Sequence, residues 1–516
     1  MFKRVIVLTG FLLLALLLPM SLYGQTAVPG TAPSRPPTGD GVPQGLPTDQ
    51  IIIKFVDGTT AQRALVVDEN GRLTELSKTA GVTLTYEREM ALQAHVLKLP
   101  QRMALNEVTA VADALSQRDD VLYAEPDRIM QHYDPPRSKT PEAPEGAGTD
   151  AFLPVVMRPY DNDPLRSQQW HYNYVAGSSE GINLYNAWNI STGSYNTVVA
   201  VVDTGILNHI DLVGRTVPGY DFIHDTYVAN DGNGRDSNPA DPGDWITSAE
   251  SASGYFAGCP VTDSSWHGTH VAGTIGAATN NGIGVSGIDQ KAKIQAVRVL
   301  GKCGGYTSDI IDGVLWAGGF SISGVPNNAT PAKVVNLSLG GYGACSTTEQ
   351  TAFTQLWNAG VLPVIAAGNS NAYAGDYSPG NCNNVITVAA NDRTGDLAYY
   401  SNWGTGIIEV SAPGGAQSYA NDPNGILSTL NSGATSPGND NYEFYQGTSM
   451  ATPHVSGVAA LIYSVRPGYT TTQVRNLLQT TARPFASGTS CDLYNDCGSG
   501  IVDAYRALNA TLLADN

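Results

Sequence analysis

The stretch Gly447-Thr448-Ser449-Met450-Ala451-Thr452-Pro453-His454 places a serine where a Gly/Thr turn runs into a helical apolar pattern, Val455, Val458, Ala459 and Ile462. A serine opening a helix stands among unpaired backbone N–H groups at the positive end of the helix dipole. Its hydroxyl is thereby presented beside donors that can hold a developing oxyanion, as acyl transfer through a serine requires. Taken alone, the same residue reads as an ordinary N-cap. Two further stretches weigh against that reading. Ser265-Trp266-His267-Gly268-Thr269-His270-Val271-Ala272-Gly273 sets a histidine at the entry to a helix whose small residues allow close packing. Neutral imidazole is the usual general base for a serine. The β-branched run Val198–Val202 ends at Asp203-Thr204-Gly205. A carboxylate at the C-terminal end of a buried parallel strand stands where α/β folds build their sites.

The elements that must hold these three residues follow from the apolar pattern. Buried-strand runs recur at Ile294–Leu300, Val334–Leu339, Val361–Ala366, Val385–Ala390 and Ile408–Ala412. Helical patterns separate most of them, notably Ser308–Ala317 and Thr347–Ala359, the latter closed by Gly360. Strand–helix alternation at this spacing predicts an α/β domain over 160–516, a doubly wound, mostly parallel sheet with helices on both faces.

The N-terminal part is built differently. Lys3 and Arg4 precede an apolar run from Val5 to Leu18, followed by Pro19, Ser21 and Gly24. That run is short for a membrane span and has the three-part form of a secretory signal peptide, 1–24. Residues 25–48 are rich in Pro, Gly and Thr and read as a linker. Residues 49–130 show a β-α-β-β-α-β order: Gln50–Val56, helical Glu75–Ala80, strands over Gly81–Tyr86 and His95–Leu99, an amphipathic helix over Leu105–Leu115, and Val121–Ala124. This is the pattern of a small ferredoxin-like α+β module. Residues 131–159 lose periodicity and read as an exposed, cleavable connector. A secreted module followed by such a connector suggests a prodomain, with a permanent accessory domain as the alternative. The net charge of −18 opposes nucleic acid or an anionic membrane as partner and leaves solubility or cation binding. Export makes the six cysteines, Cys259, Cys303, Cys345, Cys382, Cys491 and Cys497, candidates for disulfides, and none has metal-site spacing.

The segments around Asp203, His267 and Ser449, in that order, resemble the three signatures of the subtilisin-like serine proteases, and the resemblance covers roughly residues 160–510. Residues 50–130 are more loosely similar to the family's inhibitory prodomain. The resemblance implies that Asp203 orients the imidazole, that His267 is the general base and acid, and that Ser449 is the nucleophile. His270 matches a position outside the triad and takes a structural role. Asn369, in Ala366-Ala367-Gly368-Asn369-Ser370, matches the oxyanion-hole amide. Ser338, Leu339 and Gly340 match one strand edge that binds substrate main chain, and Gly304 and Gly305 the opposite edge. Ca²⁺ is implied as a stabilising cofactor. Asn281 would be its side-chain ligand, Thr279, Ile283 and Val285 would offer carbonyls, Asp211 a carboxylate, and Asp163 or Gln168 a group from the N-terminal arm.

The chain departs from the family's smallest members in the long segment between Asp203 and His267. It holds Asp231, Asp236, Asp241 and Asp244 among glycines, a second candidate cation loop or simply a solvated acidic one; the spacing is not that of an EF-hand. In the implied fold, proximity suggests the pairs Cys259–Cys303, Cys345–Cys382 and Cys491–Cys497. A lipase or esterase of the α/β-hydrolase type is opposed by the missing Gly-x-Ser-x-Gly elbow and by the order Asp, His, Ser. A catalytically dead binding domain is opposed by the presence of all three triad residues and Asn369. The expected protein is a secreted, monomeric, calcium-stabilised serine endopeptidase. Its partners would be peptide substrates and its own prodomain as inhibitor, and it would leave the membrane once the signal is removed.

Overall fold

Ile51, Ile52 and Ile53 stand in a row, and a strand turns successive side chains to opposite faces, so both faces of their strand must be covered. In the computed structural model, which describes residues 45–56, 65, 68, 71–133, 162–177 and 179–513, they are. β1 (Thr48–Phe55) lies inside an antiparallel sheet of order β2-β3-β1-β4, with β2 (Thr85–Met90), β3 (Ala94–Met103) and β4 (Val121–Pro126). Ile51, Ile53 and Phe55 pack with Leu76 of α1 (Arg72–Ala80) and with Val108, Ala112 and Leu115 of α2 (Leu105–Ser116). Ile52 faces the other way with Met90, Ala94 and Val96, into one core with Ile310, Ile311, Phe353 and Leu356 of the large domain. Burying each such side chain is worth about 1.5–3 kcal/mol, so the second face of the sheet ties the module to its neighbour.

The β-α-β-β-α-β order is present, with one boundary corrected. The strand expected over Gly81–Tyr86 begins at Thr85, because Gly81 takes a left-handed conformation (φ 69°) and ends α1. The expected signal peptide, nearly all of the linker and nearly all of the connector lie outside the described residues. The part of the connector that is described continues the module as β5 (Ile129–His132).

Seven parallel strands form the centre of the large domain in the order β12-β11-β10-β9-β6-β8-β7. They are β6 (Val198–Asp203), β7 (Thr216–Asp221), β8 (Lys293–Arg298), β9 (Val334–Leu337), β10 (Leu362–Ala366), β11 (Ile386–Asn391) and β12 (Val410–Pro413). Val199 and Val201 of β6 face one core, with Val271 and Ile275 of α3 (His267–Gly276) and Val455 and Val458 of a later helix, Thr448–Val465. Ala200 and Val202 face the other, against Ile310 and Val314 of α4 (Thr307–Ala317) and Phe353 of α5 (Thr347–Asn358). Strand order reverses about β6, which has β8 on one side and β9 on the other, so the C-terminal end of β6 opens onto the crevice where such sheets bind ligands. β8 stops earlier than expected because the N–H groups of Val299 and Leu300 turn to the Asp203 carbonyl, at 2.9 and 3.2 Å. Among the described residues no helix is long and apolar enough to cross a membrane.

The module meets the large domain through charge as well as apolar surface. Glu125 accepts from the N–H groups of Thr347 and Thr348 at 3.0 and 3.1 Å, and Asp127 from that of Ser308 at 2.9 Å. Both carboxylates therefore sit on the positive N-termini of α5 and α4. Arg88 donates to Asp309 (2.7 Å), Asp312 (2.8 Å) and the Ser308 hydroxyl (2.7 Å) in a buried cluster.

Candidate active site

Asp203 ends β6, and His267 opens α3 one close approach away. A Cβ on Gly268 would stand 2.2 Å from the Gly205 carbonyl, so only a glycine lets the helix reach the turn after β6. The Gly268 N–H donates to Thr204 Oγ1 at 3.1 Å, and that hydroxyl donates to Asp241 at 2.7 Å. With the two elements pinned, His267 Nδ1 lies 2.7 Å from Asp203 Oδ1, both residues fully buried. The other oxygen bond of Asp203 Oδ1 comes from its neighbour Thr204 N–H at 2.8 Å. His267 Nε2 has no hydrogen-bond partner among the described residues. His270, one turn on, bonds the Glu443 carbonyl at 3.1 Å and stacks on Tyr445.

Ser449 lies in the first turn of α6 (Thr448–Val465). Gly447 precedes it at φ 149°, and a Cβ there would meet Asn369 Nδ2 at 3.0 Å and the Tyr133 carbonyl oxygen at 3.1 Å. The helix contains Pro453, which has no N–H to give to the Ser449 carbonyl four residues back. The Ser338 hydroxyl donates to that carbonyl instead, at 2.9 Å, which joins α6 to the end of β9. Asn369 follows β10. Its Oδ1 accepts from Thr448 N–H and from Thr448 Oγ1, both at 2.9 Å, and this orients Nδ2 into the crevice.

A strand of the chain itself fills that crevice. β5 pairs antiparallel with Gly305–Tyr306 on one side (Met130 with Gly305, Ile129 with Tyr306) and with Leu339–Tyr342 on the other (His132 with Leu339, Gln131 with Gly340). The expected edges, Gly304 and Gly305 opposite Ser338, Leu339 and Gly340, are thus brought to either side of one extended peptide. At its end the Tyr133 carbonyl accepts from Asn369 Nδ2 and from Ser449 Oγ, the latter at 3.1 Å. Ser449 Oγ also lies 3.2 Å from the Ser338 carbonyl. The Tyr133 ring enters a slot beside Gly340 and Gly368, where burial raises its phenol well above the ordinary value. A carbonyl held by an amide donor against a serine hydroxyl, with an Asp-bonded imidazole in the same crevice, can be attacked and its oxyanion held.

A doubly wound parallel sheet carrying this constellation at its switch point is a subtilisin-like serine protease. The profile of the Subtilase family matches residues 194–504, and the chain belongs to that family. An extracellular protease of Xanthomonas campestris pv. campestris is 43% identical over 92% of this chain and 74% of its own length. An extracellular basic protease of Dichelobacter nodosus is 39% identical over 90% of this chain and 70% of its own. Among solved structures, a protease from Pseudoalteromonas arctica PAMC 21717 is 52% identical, covers 68% of this chain and 99% of its own, and superposes with a TM-score of 0.64.

The loop 279–285 gathers two carboxylates. Asp163 accepts from the N–H groups of Asn280, Asn281 and Gly282 and from the Ser286 hydroxyl. Asp211 accepts from Asn281 Nδ2 at 2.7 Å and Val285 N–H at 2.9 Å. Burial above all, with the charge of Asp163, pushes the Asp211 carboxyl up to about 6. Val285 is buried, and the carbonyls of Thr279, Ile283 and Val285 accept no hydrogen bond among the described residues. Two crowded carboxylates, an amide and three carbonyls of this kind are a donor set that fits a hard cation. Of the two expected arm residues Asp163 reaches the loop; Gln169 adds to it, bonding Ser286 through both ends of its amide (2.9 and 3.0 Å), while Gln168 makes no hydrogen bond to the loop among the described residues. Consecutive residues of a tight turn point in different directions, and the sequence alone does not choose between them.

The acidic segment does not gather in the same way. Asp231 pairs with Arg298 at 2.9 Å, Asp236 accepts from Asn233 and Asn238, Asp241 from Thr204 and Gly243, and Asp244 from Ser265 N–H and Oγ, both at 2.7 Å. Among the described residues no trio of these carboxylates comes close enough to share an ion. Each of these carboxylates is held by donors of the protein itself. The three expected disulfides, Cys259–Cys303, Cys345–Cys382 and Cys491–Cys497, are formed. Functional contacts of Tyr133, His132 and Asp244 were not read from the sequence, because nothing in an aperiodic connector marks which of its residues enters a cleft.

Proposed function

We propose that the chain is a secreted endopeptidase that acts through Asp203, His267 and Ser449 and is made as a precursor inhibited by residues 49–130. The observation that carries this reading is the Tyr133 carbonyl, held by Asn369 Nδ2 and touched by Ser449 Oγ. Ser449 turns its O–H to His267 Nε2, which takes the proton as Oγ attacks the carbonyl carbon. Asp203 holds the imidazole in the tautomer with its proton on Nδ1 and stabilises the imidazolium. Asn369 Nδ2 and the Ser449 N–H hold the oxyanion. The imidazolium then protonates the leaving amine, an acyl-enzyme remains, and water releases it by the same steps reversed. In the precursor the bond so addressed is Tyr133–Asp134. A fluorophosphonate probe is expected to label Ser449 and no other serine in protein whose new N-terminus is Asp134; an unlabelled Ser449 in processed, folded protein would defeat the reading.

Calcium is the ion we assign to Asp163, Asp211, Asn281 and the carbonyls of Thr279, Ile283 and Val285. It would act as a clamp, since Asp211 follows β6, the loop follows α3, and Asp163 belongs to the N-terminal arm. A ligand bound only by the folded state stabilises by about 4 kcal/mol at a thousandfold excess over its Kd. EDTA is therefore expected to speed thermal inactivation and autolysis while leaving the initial rate at low temperature unchanged, with early addition of Ca²⁺ restoring the slower decay. Identical inactivation with and without EDTA would remove calcium from this loop.

A further inference from the structure

The segment between Asp203 and His267 is not a passive insertion. The Cys259–Cys303 disulfide fixes it next to the edge Gly305–Tyr306 that pairs with β5. Its Asp244 is buried, anchored by Ser265 two residues before His267, and presents Oδ2 to the cleft. There His132, the residue before Tyr133, sets its Nε2 3.2 Å from Asp244 Oδ2. The His132 ring lies flat against the His267 ring, centroids 4.8 Å apart and planes 20° apart. From these contacts we infer that Asp244 makes the subsite for the residue preceding the scissile residue selective for histidine or another cationic, N–H-donating side chain.

The chemistry is that of a buried carboxylate which already accepts two bonds and has one direction left. Burial alone would raise the Asp244 carboxyl; the hydrogen bond and charge of His132, with the Ser265 donors, outweigh it and hold it below the ordinary value. A substrate offering leucine there would cover the same carboxylate and leave it without that donor, the costly case for a buried charge. The flat imidazole also fills the space over His267 and keeps water from its face. The inference rests on the protease reading, because β5 is taken as a substrate-like strand. Trp245 and the disulfide hold the Asp244 segment in place against Lys302 and Cys303, so the carboxylate is a fixed feature of the cleft wall.

The test compares two peptide amides with a fluorogenic leaving group, one ending Ala-Ala-His-Tyr and the other Ala-Ala-Leu-Tyr, on the processed enzyme and on its Asp244→Asn variant. The wild type is expected to show kcat/KM higher for the histidine peptide by about tenfold or more, the scale of a charge-assisted bond. Asp244→Asn is expected to bring the ratio near one. A wild-type ratio near one overturns the inference, and so does a ratio that survives Asp244→Asn. The wild-type ratio needs no variant, so it decides the matter even if Asp244→Asn fails to fold without its Ser265 bonds. Hydrolysis of neither peptide by folded wild type would instead overturn the protease reading itself.

Discussion

Ser449→Ala is expected to lower kcat by about 10⁶, the scale of losing the nucleophile in subtilisin itself, and to leave the Tyr133–Asp134 bond uncut. The fold should survive, because among the described residues Ser449 Oγ bonds only the carbonyls of Tyr133 and Ser338. The precursor would accumulate with β5 still in the cleft. Steady-state hydrolysis of a peptide amide, together with the mass of the protein purified free of other proteases, reads both effects. An alanine variant that matures alone at Tyr133 would show that processing is done by something else.

Asn369→Leu is expected to lower kcat by ~10²–10³ with little change in KM, again the scale known for the matching amide of subtilisin. The side chain has two jobs here. Nδ2 faces the Tyr133 carbonyl, while Oδ1 accepts both the N–H and the hydroxyl of Thr448 at the start of α6. Leucine removes both. Asn369→Asp keeps the acceptor for Thr448, removes the donor and adds a negative charge beside the oxyanion, so it spares the helix while opposing catalysis. A fall in kcat for both variants, at least as large for aspartate as for leucine, with Tm lowered only for leucine, is the expected result. A change confined to KM would place Asn369 in ground-state binding.

The residues proposed for the chemistry were legible because each stands at a junction of elements. Asp203 closes a β-branched run, His267 opens a helix of small residues, and Ser449 opens another, so pattern and motif agreed on the same positions. The doubly wound sheet was legible for the same reason, as runs buried on both faces are continuous in the sequence. Direction was not legible. Asp241 and Asp244 share one acidic stretch, yet one bonds Thr204 behind the triad and the other faces His132 in the cleft. Gln168 and Gln169 differ only in which way a tight turn points them. The hairpin Ile426–Asn431 with Asp440–Tyr445 also escaped notice, and it holds α3 in place by bonds from Ser428 and Thr429 to the carbonyls of His270 and Thr269. Such contacts join segments over a hundred residues apart, and no local pattern announces them.

In the proposed maturation, the core shared by Ile52, Met90, Ala94 and Val96 with Ile310 and Phe353 would set a direction in time. Cutting the one peptide bond would leave that core, and the bonds of Arg88, Glu125 and Asp127, as they are, so the severed module would stay bound and the enzyme silent. Separation exposes an apolar sheet face with nothing left to cover it, on a unit too small to tolerate such exposure well. A module in that condition would open often and be open to digestion by whichever enzyme molecule is already free. Under the proposed maturation each molecule freed would hasten the freeing of the next, and none would return once its inhibitor was consumed. Docked intact, the same face would act as a lock; once consumed, as an autocatalytic ratchet.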